Sequence, residues 1–152
     1  MNYSEQCGRC GTVITAYMWH LDNRLVWLAT LVLDYYNQHH RPMPLRAVSD
    51  RVTPVEYGCY SRIKHFGLLK HDDAHDAWWP TKTLIKFLKG EIQIPDKVLT
   101  LKNQVLALDH PAWQYRSPKP KMVDIHRVSK CRKWKERTDY RLEKYFSSHT
   151  PV

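Results

Sequence analysis

The sequence predicts an α+β fold, and three observations predict it. Thr53-Pro54-Val55-Glu56 carries the reciprocal capping pattern of a helix start. Gly67-Leu68-Leu69 then leads from that helix into a stretch that closes on Trp78 and Trp79, as a hairpin would. Upstream, apolar residues from Leu21 to Tyr36 keep a helical period.

Leu21, Leu25, Leu28, Ala29, Val32 and Tyr36 define the first helix, over Arg24 to Gln38, with Asp22 or Asn23 available as its N-cap. Pro42 and Pro44 stop it, and Leu45, Val48 and Val52 predict a short second helix running almost directly into Thr53. In the third helix Thr53 is the cap, Pro54 the first helical residue and Glu56 the returning partner. Val55, Cys59, Ile63 and Phe66 then form its apolar stripe, while Tyr57, Tyr60, Ser61, Arg62, Lys64 and His65 fall elsewhere. Leu68-Leu69-Lys70 and Ala77-Trp78-Trp79 flank an acidic, histidine-rich tip, and Thr81 caps a fourth helix carrying Leu84, Ile85 and Leu88 before Gly90. Helix, helix, helix, hairpin, helix is the order of a winged helix-turn-helix, assigned to residues 21–90.

Three segments flank that unit. Residues 1–20 contain Cys7-Gly8-Arg9-Cys10-Gly11, a CxxC knuckle. Residues 91–108 predict an edge strand, Glu91-Ile92-Gln93-Ile94-Pro95, and an extra β-hairpin from Val98-Leu99-Thr100-Leu101 to Val105-Leu106-Ala107-Leu108, with Asn103 suited to positive φ in the turn. Residues 109–152 read as a proline-containing linker through Lys121, then a basic aromatic tail.

At 152 residues and 43% apolar content the chain can bury one core of ordinary size and is not a disordered polymer. No apolar run approaches the roughly 18 residues of a membrane span, and Met1-Asn2-Tyr3-Ser4-Glu5 lacks the basic start of a signal peptide, so a cytoplasmic location is expected. A net charge of +9 favours an anionic partner. The excess lies in the tail: residues 1–115 hold 13 Lys+Arg against 11 Asp+Glu, and residues 116–152 hold 11 against 4. There Arg127, Lys130, Arg132, Lys133, Lys135 and Arg137 surround Trp134, a pattern that suits phosphate contact with aromatic stacking, or a helix docked through Ile125, Val128, Trp134, Leu142 and Tyr145.

Cys7 and Cys10 have the spacing with which two thiolates grip one zinc ion. A structural zinc takes four ligands, and no second Cys-x-x-Cys is present. His20, His39, His40, His71, His75, Cys131 or the same motif of a second subunit, in a homodimer, are the candidates to complete it. A reduced or redox-active dithiol and a vestigial ribbon are the other readings. Catalytic signatures are weak: His75-Asp76 stands alone on the hairpin tip, and no phosphate loop, Gly-x-Ser-x-Gly or His-Glu-x-x-His occurs, so no enzyme is expected.

Taken together, Cys7 to Gly11, Ile63-Lys64-His65-Phe66-Gly67-Leu68-Leu69, Trp79-Pro80-Thr81, Phe87-Leu88-Lys89-Gly90-Glu91 with Ile94-Pro95, and Lys102-Asn103-Gln104-Val105-Leu106 resemble a family of small phage and prophage proteins. Its members begin with a half zinc ribbon and continue into a winged helix. The resemblance spans most of residues 7–108 and implies a fold and a viral or mobile-element origin, with no catalytic residue.

Two functions are expected. In the first the chain is a DNA-binding transcriptional regulator whose capped helix presents Tyr57, Tyr60, Ser61, Arg62, Lys64 and His65 to the major groove while the tail adds backbone affinity. In the second it is a protein-binding inhibitor of a host nucleoprotein machine, such as a bacterial CRISPR-type defence nuclease; the acidic hairpin tip, which repels phosphate, fits this second role.

Overall fold

The computed structural model describes residues 4–6, 8, 11, 13–115, 119–130 and 142, and the fold is mixed α+β with several small antiparallel sheets. In chain order its elements are β1 (Ser4–Gln6), β2 (Val13–Thr15), β3 (Tyr17–His20), α1 (Asn23–His39), β4 (Met43–Pro44), α2 (Pro54–Tyr57), α3 (Tyr60–Ile63), β5 (Leu69–Asp72), β6 (Ala77–Pro80), α4 (Lys82–Leu88), β7 (Ile94–Pro95), β8 (Lys97–Leu101), β9 (Gln104–Val105), β10 (Met122–Val123) and α5 (Ile125–Lys130).

Helix α1 is the axis of the main core. Asp22 caps it, its Oδ1 accepting the Leu25 N–H at 3.0 Å. Every residue from Asn23 to Val32 is buried, so this half of the helix is surrounded by protein rather than laid on its surface. Around it pack Met43, Tyr60, Ile63, Phe66, Leu68, Trp78, Leu84, Phe87 and, from the C-terminal region, Ile125, Val128 and Leu142. The three-stranded sheet β4-β6-β5 closes one side: Met43 pairs with Trp78, and Leu69 to Asp72 pair with Pro80 back to Ala77. Thr81 caps α4 and also donates to the Leu68 carbonyl at 2.9 Å, tying the hairpin's base to the helix that follows.

The capping box at Thr53 forms as the sequence predicts: Thr53 Oγ1 accepts the Glu56 N–H at 3.2 Å, and Glu56 Oε1 accepts the Thr53 N–H at 2.9 Å. The helix it starts does not run unbroken to Phe66. It divides into α2, α3 and a 3-10 turn at Lys64–Phe66, with Gly58 and Cys59 between the first two. Glycine is the poorest ordinary helix former, and the chain tightens there to three-residue spacing, the Cys59 N–H donating to Glu56 O at 3.0 Å. The change of phase leaves Val55 exposed and buries Glu56, while Cys59, Ile63 and Phe66 keep the expected inward stripe. The second predicted helix is likewise only a 3-10 turn, Leu45–Val48. Pro54 holds Thr53 extended, at φ −78° and ψ 162°, so no helix can cross that junction.

A second sheet, β3-β8-β9, joins the segment before α1 to the segment after α4: Tyr17 to His20 pair with Thr100 back to Lys97, and Thr100-Leu101 with Val105-Gln104. The β8–β9 turn is made by Lys102 and Asn103, both at positive φ, the conformation expected of Asn103. Under this sheet Ala16, Leu99, Leu101, Ala112 and Trp113 form a smaller apolar cluster. Parts of the predicted linker are therefore docked on the fold. Pro111–Tyr115 is a 3-10 turn that buries Ala112 and Trp113, and Asp96 holds Lys121 through two backbone-directed hydrogen bonds. The predicted edge strand shrinks to Ile94–Pro95, paired with Met122–Val123.

Candidate nucleic-acid interface

The outward residues of the third helical region divide into three groups. Ser61, Arg62 and Lys64 are exposed, and Tyr57 and His65 are half-buried. Tyr60 corrects the sequence reading: it is 1% exposed, and its hydroxyl donates to the Leu28 carbonyl at 3.2 Å. The broken helix turns Tyr60 onto α1 and Trp78, so it faces the core and not a groove. Burial, reinforced by the charge of Glu56, holds its phenol far above the ordinary range.

Trp19 on β3 organises what remains. Its indole N–H donates to Thr100 Oγ1 at 2.9 Å, which fixes the ring in the second sheet. The Arg62 guanidinium lies 4.9 Å from the ring centroid, and the His65 imidazole stacks nearby at 6.3 Å with 17° between planes. Arg62 is thus held in one orientation before any ligand arrives, which lowers the entropy cost of using it. Burial, and then the charge of Lys64, lower the His65 pKa, so its ring is neutral near pH 7 and can accept as well as donate a hydrogen bond. Trp19 was not among the residues the sequence singled out. The only local signal was the aromatic-rich run Tyr17-Met18-Trp19-His20, because the partners, Arg62, His65 and Thr100, all lie far along the chain.

Between the two hairpins lies a cleft of about 350 Å³ lined by Lys64, His65, Leu69, Lys70, His71, Asp73, Asn103 and Val105. Lys64 and Lys70 give its mouth positive charge, and Asp73 marks its acidic end. Arg127 and Lys130 are exposed on a different element, α5, which docks on α1 through Ile125 and Val128. Of the remaining site residues, Arg132, Lys133, Trp134, Lys135 and Arg137 lie outside the described residues, as do the zinc candidates Cys7 and Cys10. Among the described residues there is no group of three or more side chains able to hold a metal ion. Cys59 is buried and donates to the Val55 carbonyl, and burial raises its thiol pKa, a setting for an inert cysteine.

The hairpin tip is a self-contained ionic cluster. His71 reaches Asp73 through Nδ1 at 2.6 Å and Asp76 through Nε2 at 3.0 Å, while His75 Nδ1 meets Asp72 at 3.1 Å. Both His71 nitrogens face acceptors, an arrangement only the imidazolium satisfies as a donor twice. Desolvation against Trp78 opposes the charge, but the hydrogen bonds and charges of Asp73 and Asp76 outweigh it and the pKa is raised. The hydrogen bond from His75 likewise lowers the Asp72 pKa. His71 is therefore expected to titrate above its ordinary value of 6.5 in an NMR titration, and Asp73→Asn with Asp76→Asn should bring it down. In sign, the contribution of His71 to hairpin stability is complete below pH 6.5 and fades as pH rises through the raised native value. A midpoint unmoved by the double substitution would refute the pairing.

No described helix is long and apolar enough to cross a membrane. Compared with family models, with curated proteins and with solved structures, the chain matches none.

Proposed function

We propose that the chain is a winged-helix DNA-binding protein of phage or mobile-element type, acting as a transcriptional regulator, with α3 and the 3-10 turn after it as the groove-facing element. The observation that carries this reading is the placement of Lys64 and Lys70 together in one cleft beside a hairpin whose sheet also takes in β4, with Arg62 held on Trp19 from the same helical region. The resemblance to phage winged-helix proteins supports the same architecture. Ser61, Arg62 and Lys64 make the contacts, Arg62 braced on Trp19 and Lys64 at a phosphate. The α3 surface is short, so phosphate contacts supply most of the affinity, and the basic tail adds to them.

The test is fluorescence anisotropy with purified duplex DNA. Binding at about 50 mM salt is expected, weakening steeply as salt rises, and Lys64→Ala should lower the slope of log affinity against log salt by about one. Absence of duplex binding at that salt overturns the proposal.

One observation favours the second reading, an inhibitor of a host nucleoprotein machine such as a CRISPR-type nuclease. The side chains of Asp73 and Asp76 are 95% and 88% exposed at the hairpin tip, where a DNA-tracking wing carries basic residues. A stoichiometric host protein recovered with the chain after nuclease treatment, together with failure on duplex DNA, would decide for it.

A further inference from the structure

On the face formed by the end of α1, the β4 edge and β6, a cleft of about 450 Å³ opens between Tyr35, Arg41, Arg46 and Trp79. It shares no residue with the α3 surface. Its volume falls in the range of small-ligand sites. Arg41 and Arg46 are both exposed, and neither guanidinium has a carboxylate partner among the described residues. Two guanidiniums lining one cleft favour an anion, and a phosphate group can use their forked donors. The loop carrying them is stiffened by Pro42 and Pro44, whose rings fix φ, so the pair is brought together without a large ordering cost.

The opposite wall is aromatic and equally constrained. Trp79 packs edge-on against Tyr36, with ring centroids 5.8 Å apart, and its side chain hydrogen-bonds to Asp72. Trp79 and Tyr35 remain only half-buried, leaving ring surface open to the cleft. Asp72, which also lines the cleft, is engaged by the Ala74 and His75 N–H groups and by the His75 ring; it keeps its negative charge, and the phosphate is therefore placed at the Arg41–Arg46 end.

We propose that this cleft binds an unpaired nucleotide, its base stacked on Trp79 beside Tyr35 and its phosphate held by Arg41 and Arg46. A flat ring joined to an anionic phosphate matches a flat wall joined to two guanidiniums. A phosphotyrosine peptide presents the same two groups, but an extended peptide bound here would add a strand to β4. That edge is two residues long and one of them is proline, so it offers too few N–H groups for a ladder. The nucleotide is supplied either free, as a monophosphate of about two negative charges, or as part of a single strand, where each phosphodiester carries one; a base joined to an anionic phosphate is common to both.

The full-length chain is titrated by calorimetry with 5′-AMP, with a ten-residue oligodeoxyadenylate and with a phosphotyrosine peptide. Saturable binding of AMP or the oligonucleotide is expected, weakened at least tenfold in the Arg41→Gln/Arg46→Gln variant. Both arginines are exposed and have no carboxylate partner among the described residues, so the variant should melt with the wild type and its loss of binding is not a loss of fold. Trp79→Phe keeps a ring and is expected to retain most of the affinity. Equal affinity for AMP and the oligonucleotide identifies a free nucleotide, and an oligonucleotide more than tenfold tighter identifies a strand; both uphold the site. No saturable binding of either, undiminished binding by the arginine variant, or binding of the phosphopeptide alone overturns it. The two sites are separable, since Lys64→Ala should leave AMP binding unchanged and the arginine variant should leave the duplex salt slope unchanged. Failure on duplex DNA with AMP binding intact removes only the regulator proposal.

Discussion

Replacing Tyr60 with alanine is expected to destabilise the protein by about 3 to 5 kcal/mol, the range for emptying a buried aromatic site. The ring is among the largest fully buried side chains of the molecule, packed between α1 and Trp78. The surrounding α1 helix is rigid and buried for ten residues, so the site has little means of collapsing into the space left behind. Tyr60→Phe keeps the ring and removes only the hydroxyl. The Leu28 carbonyl it leaves still accepts within its own helix, so the cost should be about 0.5 to 1.5 kcal/mol. Urea unfolding of the two variants separates packing from the hydrogen bond. A Tyr60→Ala protein within about 1 kcal/mol of wild type would mean that the ring is not in the core. The same pair tests the site: Tyr60→Phe should bind duplex DNA as wild type does, because nothing beyond the hydroxyl changes and that hydroxyl never reaches a ligand.

Tyr60 also marks where a sequence stops being readable. Features encoded within a few residues were legible: the Asp22 and Thr53 caps, the α1 period, the left-handed exit at Gly67 (φ 76°), the hairpin of Lys70 and Trp79, and the Thr81 cap. Each depends on contacts with near neighbours in the chain, so the residues concerned carry the signal themselves. The phase of the third helical region was not legible. Gly58 costs a helix only about 1 kcal/mol, and whether the chain continues or tightens there is decided by what packs on it. That decision moved Tyr60 inward and Val55 outward. Trp19 and the Arg41–Arg46–Trp79 cleft were illegible for a second reason. Their members come from distant elements, and no spacing within any one of them announces the meeting. The docking of Pro111–Tyr115 was illegible for a third. Prolines at 111, 118 and 120 mark a break in regular structure, and such a break is compatible with either a free linker or a docked turn.

Trp113→Ala tests that last distinction, with an expected loss of about 3 to 5 kcal/mol. Trp113 is 2% exposed and is the largest member of the cluster under the second sheet, whose other buried residues are Ala16, Leu99, Leu101 and Ala112. So small a cluster has no other side chain of comparable area, and the apolar surface lost with the indole is a large share of what holds β3 to β8. The effect should also be local. Amide exchange is expected to accelerate at Met18 and Leu99, in paired strands above the cavity, before it does at Leu28 or Val32 in α1. Trp113→Phe should cost less than alanine, because it deletes a buried indole N–H that has no hydrogen-bond partner among the described residues while keeping much of the ring. Weakening β3 has a consequence at the surface as well. Trp19 stands on that strand and holds Arg62 in place, so Trp113→Ala should lower duplex affinity although Trp113 is far too buried to touch a ligand. Unchanged unfolding and unchanged exchange in Trp113→Ala would return residues 109–121 to the status of a linker. They would also detach the stability of the second sheet from the geometry of Arg62.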